Sequence, residues 1–164
     1  LIPSHGRSIR ASARPMGEWA KKPGDQVGLN WRIPGSRGKR NVRHIIYDAS
    51  WWKTFFHQRL SVAIGDVGSL SLFGEESLTH RMLGEHLTSE TRIRVKGPER
   101  TVDEWTLKVG VRDNHFFDCA VGATVAASVL GVTLPGMTPT NDRKKKKRKV
   151  SFSQMQQERA RDSQ

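Results

Sequence analysis

The sequence predicts an α/β chain, and three observations carry that prediction. Two stretches, about Trp51 to Leu60 and Phe116 to Leu130, place apolar residues at helical spacing. Two others, Glu90 to Lys96 and Thr101 to Val109, read as strands, and the Gly97-Pro98-Glu99-Arg100 between them is a hairpin signal. Helical and strand-like runs alternate along one chain without an internal repeat, which argues against an array.

Residues 1 to 40 hold several Gly and Pro, scattered Trp and many Arg and Lys with little periodicity, the pattern of a loop-rich entry segment. Asn41 to Tyr47 ends in the continuous apolar run Ile45-Ile46-Tyr47, which suits a buried strand. Asp48 or Ser50 can cap the helix that follows, because a short polar side chain there accepts from an otherwise unpaired first-turn N–H. On that helix Trp51, Phe55 and Phe56 are expected to pack inward, with Lys53 on the outer face. Aromatic stripes of this kind are more often core than platforms for stacked bases. Ser69 to Phe73 reads as a further short strand, and Glu75 to Leu87 as a helix with Leu78, Met82, Leu83 and His86 near one face. The last helix takes Asp113 or Asn114 as N-cap and stops at Gly131.

That last helix carries the most informative segment. Phe116, Phe117, Ala120, Val121, Thr124, Val125 and Ser128 recur at helical spacing, so Asp118 stands beside an apolar stripe on the first turns. An ionised carboxylate placed there needs a partner. It suits a rigidly held metal ligand, and equally an acid that complements the helix dipole. His115, three residues earlier, shares its helical face and can orient the carboxylate, contact metal-bound water or phosphate, or simply be a half-buried histidine. His57, His80 and His86 form no i, i+4 zinc pair, and no GxSxG elbow or nucleophilic triad is present.

The 164 residues suffice for one domain with a modest core, and the net charge of +12 points to a polyanionic partner. The single cysteine, Cys119, excludes an internal disulfide and a CxxC zinc site, as expected for a cytosolic chain. No apolar run reaches the length of a membrane span, and the start lacks a signal-peptide pattern. The lack of an initiator Met is the expectation for a fragment or an unusual start. Two parts are expected: residues 1–136 as a folded unit and 137–164 as a basic tail, disordered by self-repulsion. The tail holds Arg143, Lys144, Lys145, Lys146, Lys147, Arg148 and Lys149, which would bind a DNA backbone by counterion release. The same run looks like a nuclear-localisation sequence, a reading that rests on the run alone. Residues 151–164 can form a short amphipathic helix docking on a partner, although a frayed end is the commoner outcome.

The segments YDASWWKTFFHQRL, FGEESLTHRMLGEHLTSE and NHFFDCAVGATVAASVLG together resemble the C-terminal nuclease region of the GpA-type large terminase subunit of tailed phages and prophages. The resemblance spans most of residues 1–136. It implies the C-terminal half of an RNase H-like endonuclease domain that cuts concatemeric double-stranded DNA during genome packaging. Asp118 matches the last acidic ligand of that family, which makes it the implied catalytic and metal-binding residue, with Mg²⁺ or Mn²⁺ as cofactor. Lys53 matches an aromatic-plus-Lys segment and is the implied DNA contact; Glu90, in the family-like LTSE segment, is expected to be structural. The small terminase subunit and the portal are the implied protein partners, in the cytoplasm of a bacterial host.

The family's earlier acidic residues and its ATPase domain have no counterpart in this sequence, and no Walker-type ATP site occurs. One carboxylate does not normally hold two metal ions, so further ligands must come from elsewhere. The competing expectation is a non-catalytic, basic DNA-binding remnant of a degraded prophage.

Overall fold

The computed structural model describes residues 2–35, 42–74 and 76–133. It is a mixed α/β structure, as the sequence predicts. Strands β1 (Ser4–Arg7), β2 (Gln26–Gly28), β3 (Trp31–Ile33) and β4 (Ile45–Asp48) form a sheet of order β1-β4-β3-β2. β1 runs parallel to β4, while β3 is antiparallel to both β4 and β2. Strands β5 (Glu90–Lys96) and β6 (Thr101–Leu107) form a separate antiparallel hairpin. The helices are α1 (Ala49–Leu60), α2 (Arg81–Leu87) and α3 (His115–Val129).

The opening segment is therefore not loop-rich: it supplies three of the four strands of the main sheet. Its strands escape periodicity because each is only three or four residues long. The β2–β3 turn is Leu29-Asn30, with Asn30 at φ 50, a conformation that asparagine tolerates better than most residues. Gly28 is required beside it, since a Cβ would lie 2.2 Å from the Trp31 ring. Trp31 in turn donates its indole N–H to Ser128 Oγ at 3.0 Å, tying β3 to the end of α3.

Helix α1 is the hub, packing against β1, β4, β6 and α3. Asp48 caps it, accepting from the Trp51 N–H at 3.2 Å. Its inward residues are Trp52, Phe55 and Phe56; Trp52 is completely buried, whereas Trp51 is only partly so, which corrects the expected phase of the stripe. They share a core with Ile33, Ile45, Leu87 and, from α3, Phe117, Val121 and Val125. At about 25 cal/mol per Å² of apolar surface, such burial is the main favourable term of folding.

Three further expectations are corrected. Ser69–Phe73 forms no strand; Leu72 and Phe73 are exposed, so the run has nothing to bury. The expected helix to Leu87 is a 3-10 turn at Ser77–His80 followed by α2, with Leu78 and Met82 exposed and Leu87 buried. β6 stops at Leu107, and Val109 is fully exposed. The tail expectations, including those for Arg143 to Lys149, lie outside the described residues.

Candidate functional site

Each polar group of the site is set by the element that carries it. Lys53 lies in the second turn of α1, on the flank between its aromatic core and its polar face. Glu90 is the first residue of β5, placed under α1 where the chain leaves α2. Asn114 and Asp118 belong to the start of α3.

These residues meet. Lys53 Nζ lies 2.5 Å from Glu90 Oε1 and 2.9 Å from Asp118 Oδ1. Asn114 Nδ2 donates to the same Glu90 Oε1 at 2.6 Å. The Lys53 ammonium also stands 5.1 Å above the centre of the Phe117 ring, a cation–π contact. The Glu90 side chain is 3% exposed and that of Lys53 12%, but Asp118 is half exposed, so the cluster is buried at one end and open at the other. Glu90 Oε2 is buried with no hydrogen-bond partner among the described residues.

Lys53 is thus not a surface lysine with its charge in water. Asn114, expected as a cap, makes no side-chain cap bond and spends its amide on Glu90 instead. His115 does not orient Asp118; it faces Asp113, Nε2 to Oδ1 at 3.6 Å. Glu90, expected to be structural, is the point on which Lys53 and Asn114 converge. Its signal was its position in the LTSE segment, but the pairing depends on β5 starting beneath α1.

Neighbouring ionisable groups frame the cluster. Burial, reinforced by the Asp118 carboxylate, pushes the Tyr47 phenol above its ordinary value. Burial holds the His57 imidazole below its ordinary value; its Nε2 lies 3.0 Å from the Leu87 carbonyl, and its ring packs on Trp105 and Phe117. Asp48 is raised by burial, against the Trp51 N–H that bonds its carboxylate, and serves as the α1 cap rather than joining Asp118.

Among the described residues no group of three or more His, Cys, Asp or Glu side chains gathers as a metal cage. Magnesium sites, however, commonly use one or two carboxylates and complete their shell with water and substrate phosphate. Glu90 and Asp118 fit that requirement in number and chemistry, and the orphaned Glu90 Oε2 is an oxygen with coordination to spare. The Lys53 ammonium stands between the two carboxylates and would share the site with such an ion.

No helix among the described residues is long and apolar enough to cross a membrane. Comparison with protein-family models, curated proteins and solved structures finds no match to this chain.

Proposed function

We propose that this chain is part of a metal-dependent DNA endonuclease of the GpA-type terminase class, with the cluster of Lys53, Glu90 and Asp118 as its phosphodiester site. One observation carries the reading. The three sequence segments that resemble that family lie far apart in the chain, and each delivers one charged side chain to the same point: Lys53, Glu90 and Asp118. In this reading the α/β fold is the C-terminal half of an RNase H-like domain, and packaging of concatemeric double-stranded DNA is the biological setting.

The chemistry follows from the charges. Asp118, open to solvent, is the carboxylate that substrate and a hard cation such as Mg²⁺ or Mn²⁺ would reach first. A bound ion would supply Lewis-acid stabilisation of the phosphate and a water of lowered pKa. Lys53, still paired with Glu90, would offer an ammonium N–H to a non-bridging phosphate oxygen, a point-charge contact. Glu90, buried and held by Asn114, keeps Lys53 and Asp118 in register. The basic run Arg143, Lys144, Lys145, Lys146, Lys147, Arg148 and Lys149 adds backbone affinity without sequence preference. The small subunit and the portal are the protein partners of this reading.

The test is nicking of supercoiled plasmid with Mg²⁺ or Mn²⁺. Wild type is expected to nick, with loss on chelation and a drop of about a hundredfold or more in Asp118→Ala, comparable to removing one stabilising group from an active site. Binding without cleavage at any metal concentration would sink the catalytic reading and leave the DNA-binding remnant. The pairing of both carboxylates with Lys53, which an incoming cation would have to share or displace, is the observation that favours that second reading.

A further inference from the structure

Helix α1 and the β5–β6 hairpin face each other across two clefts in file. The first, about 630 Å³, is lined by Ser50, Trp51 and Thr54 of α1 and by Arg94 and Arg100 of the hairpin. The second, about 550 Å³, is lined by His57, Gln58 and Ser61 on one side and Arg92 and Lys108 on the other. Ser50, Thr54 and His57 of α1 and Ser61 just after it recur every three or four residues, so one polar face of the helix runs along both. The Trp105 indole N–H, lining the second cleft, donates to Thr54 Oγ1 of the first at 3.0 Å, so the two clefts adjoin there.

The opposite wall is a cationic row. Arg92, Arg94 and Lys96 alternate along β5 and so share one face, about 6.8 Å apart; Arg92 lines the second cleft and Arg94 the first, and Lys96 continues the row beyond that lining. That repeat is comparable to the separation of adjacent phosphates in an extended single strand. Asp103 is shared between two of them, 3.2 Å from Arg94 Nε and 3.7 Å from Arg92. Among the residues lining the two clefts, the cations Arg92, Arg94, Arg100 and Lys108 outnumber the acids Asp48, Glu90 and Asp103, and Lys96 adds to the same face of β5. Cations therefore remain in excess. Trp51, stacked on Phe55 at 5.4 Å with planes 10° apart, lines the first cleft and extends the stack toward it.

We propose that this groove binds a single-stranded segment of nucleic acid, with its phosphates on Arg92, Arg94 and Lys96 and a base against Trp51. A positive groove with an aromatic platform is the general solution for sequence-tolerant single-strand binding. Each cleft has the volume of a small-ligand pocket, with room for a nucleotide. Because Glu90 lines the second cleft, a bound strand runs to the Lys53 cluster. The binding itself stands whether or not that cluster cleaves.

The test is fluorescence anisotropy with labelled oligothymidylate and with a duplex of equal length, in EDTA so that cleavage plays no part. It uses the full chain with the seven tail cations neutralised (Arg143→Ser through Lys149→Ser), which removes a competing site. Trp51→Leu is expected to weaken oligothymidylate binding at least about fivefold, the low end for loss of one stacked base. Arg94→Ala with Lys96→Ala, both exposed, is expected to lower the slope of log K against log salt by about 1.4, roughly 0.7 for each lost phosphate contact. This second variant keeps the test decisive if Trp51→Leu unfolds. An unchanged slope and affinity in Arg94→Ala/Lys96→Ala overturns the proposal, as does equal loss on duplex and single strand.

Discussion

Lys53 neutralises a glutamate that has almost no access to water, and this makes it a structural residue whatever it does to phosphate. Removing one partner of a buried pair leaves the other charge uncompensated. Lys53→Met should therefore cost about 3–5 kcal/mol in urea denaturation, and adding Glu90→Gln should recover most of it. Additive losses in the double variant would show that the two side chains are not coupled. His57 makes a second prediction at this scale. Its folded pKa is depressed below 6.5 by burial, so the neutral imidazole contributes stability above about pH 6.5 that is lost as pH falls through the folded value. Thermal melts should show wild type losing stability below pH 6.5, with a shallower decline in His57→Gln; parallel curves would refute it.

At the scale of elements, the hairpin tip is clasped to the segment after β1. A Cβ on Gly97 would come 2.6 Å from the Ala11 carbonyl oxygen, and Arg100 donates to the carbonyls of Arg10 and Ala13 at 3.0 and 2.8 Å. Gly97→Ala must push backbone away from backbone. An overpacking cost of about 1–3 kcal/mol is expected, read as a lowered urea midpoint, and a variant as stable as wild type would show that the clasp yields. How legible these elements were depended on where their signal resides. α1, α3 and the hairpin announce themselves through period and turn chemistry carried by neighbouring residues. β1, β2 and β3 do not, because a three-residue strand such as Trp31–Ile33 is defined by its partners. Ser69–Phe73 shows the reverse: strand-like residues beside which no strand is laid form none. The site divides in the same way. Asp118 and Lys53 could be singled out from their own segments, whereas the bond between them is a tertiary fact created by Glu90 and the docking of α3.

For the whole molecule, charge is unevenly spread: of the net +12, the run Arg143 to Lys149 alone supplies seven cations. If all seven meet phosphate, neutralising them should lower the salt slope of duplex binding by about six, at roughly 0.9 per contact. A change of less than about two would place duplex affinity on the folded part instead. The same molecule-wide view gives a meaning to the indole bond between Trp31 and Ser128. That bond spans 97 residues, and the Arg100 clasp to Arg10 spans 90. Closing loops of that length costs entropy before any contact is gained, and such topologies fold slowly. On the ribosome, β3 has to wait with its tryptophan uncovered until α3 emerges. The early strands are thus the part of this chain left longest without their partners during synthesis.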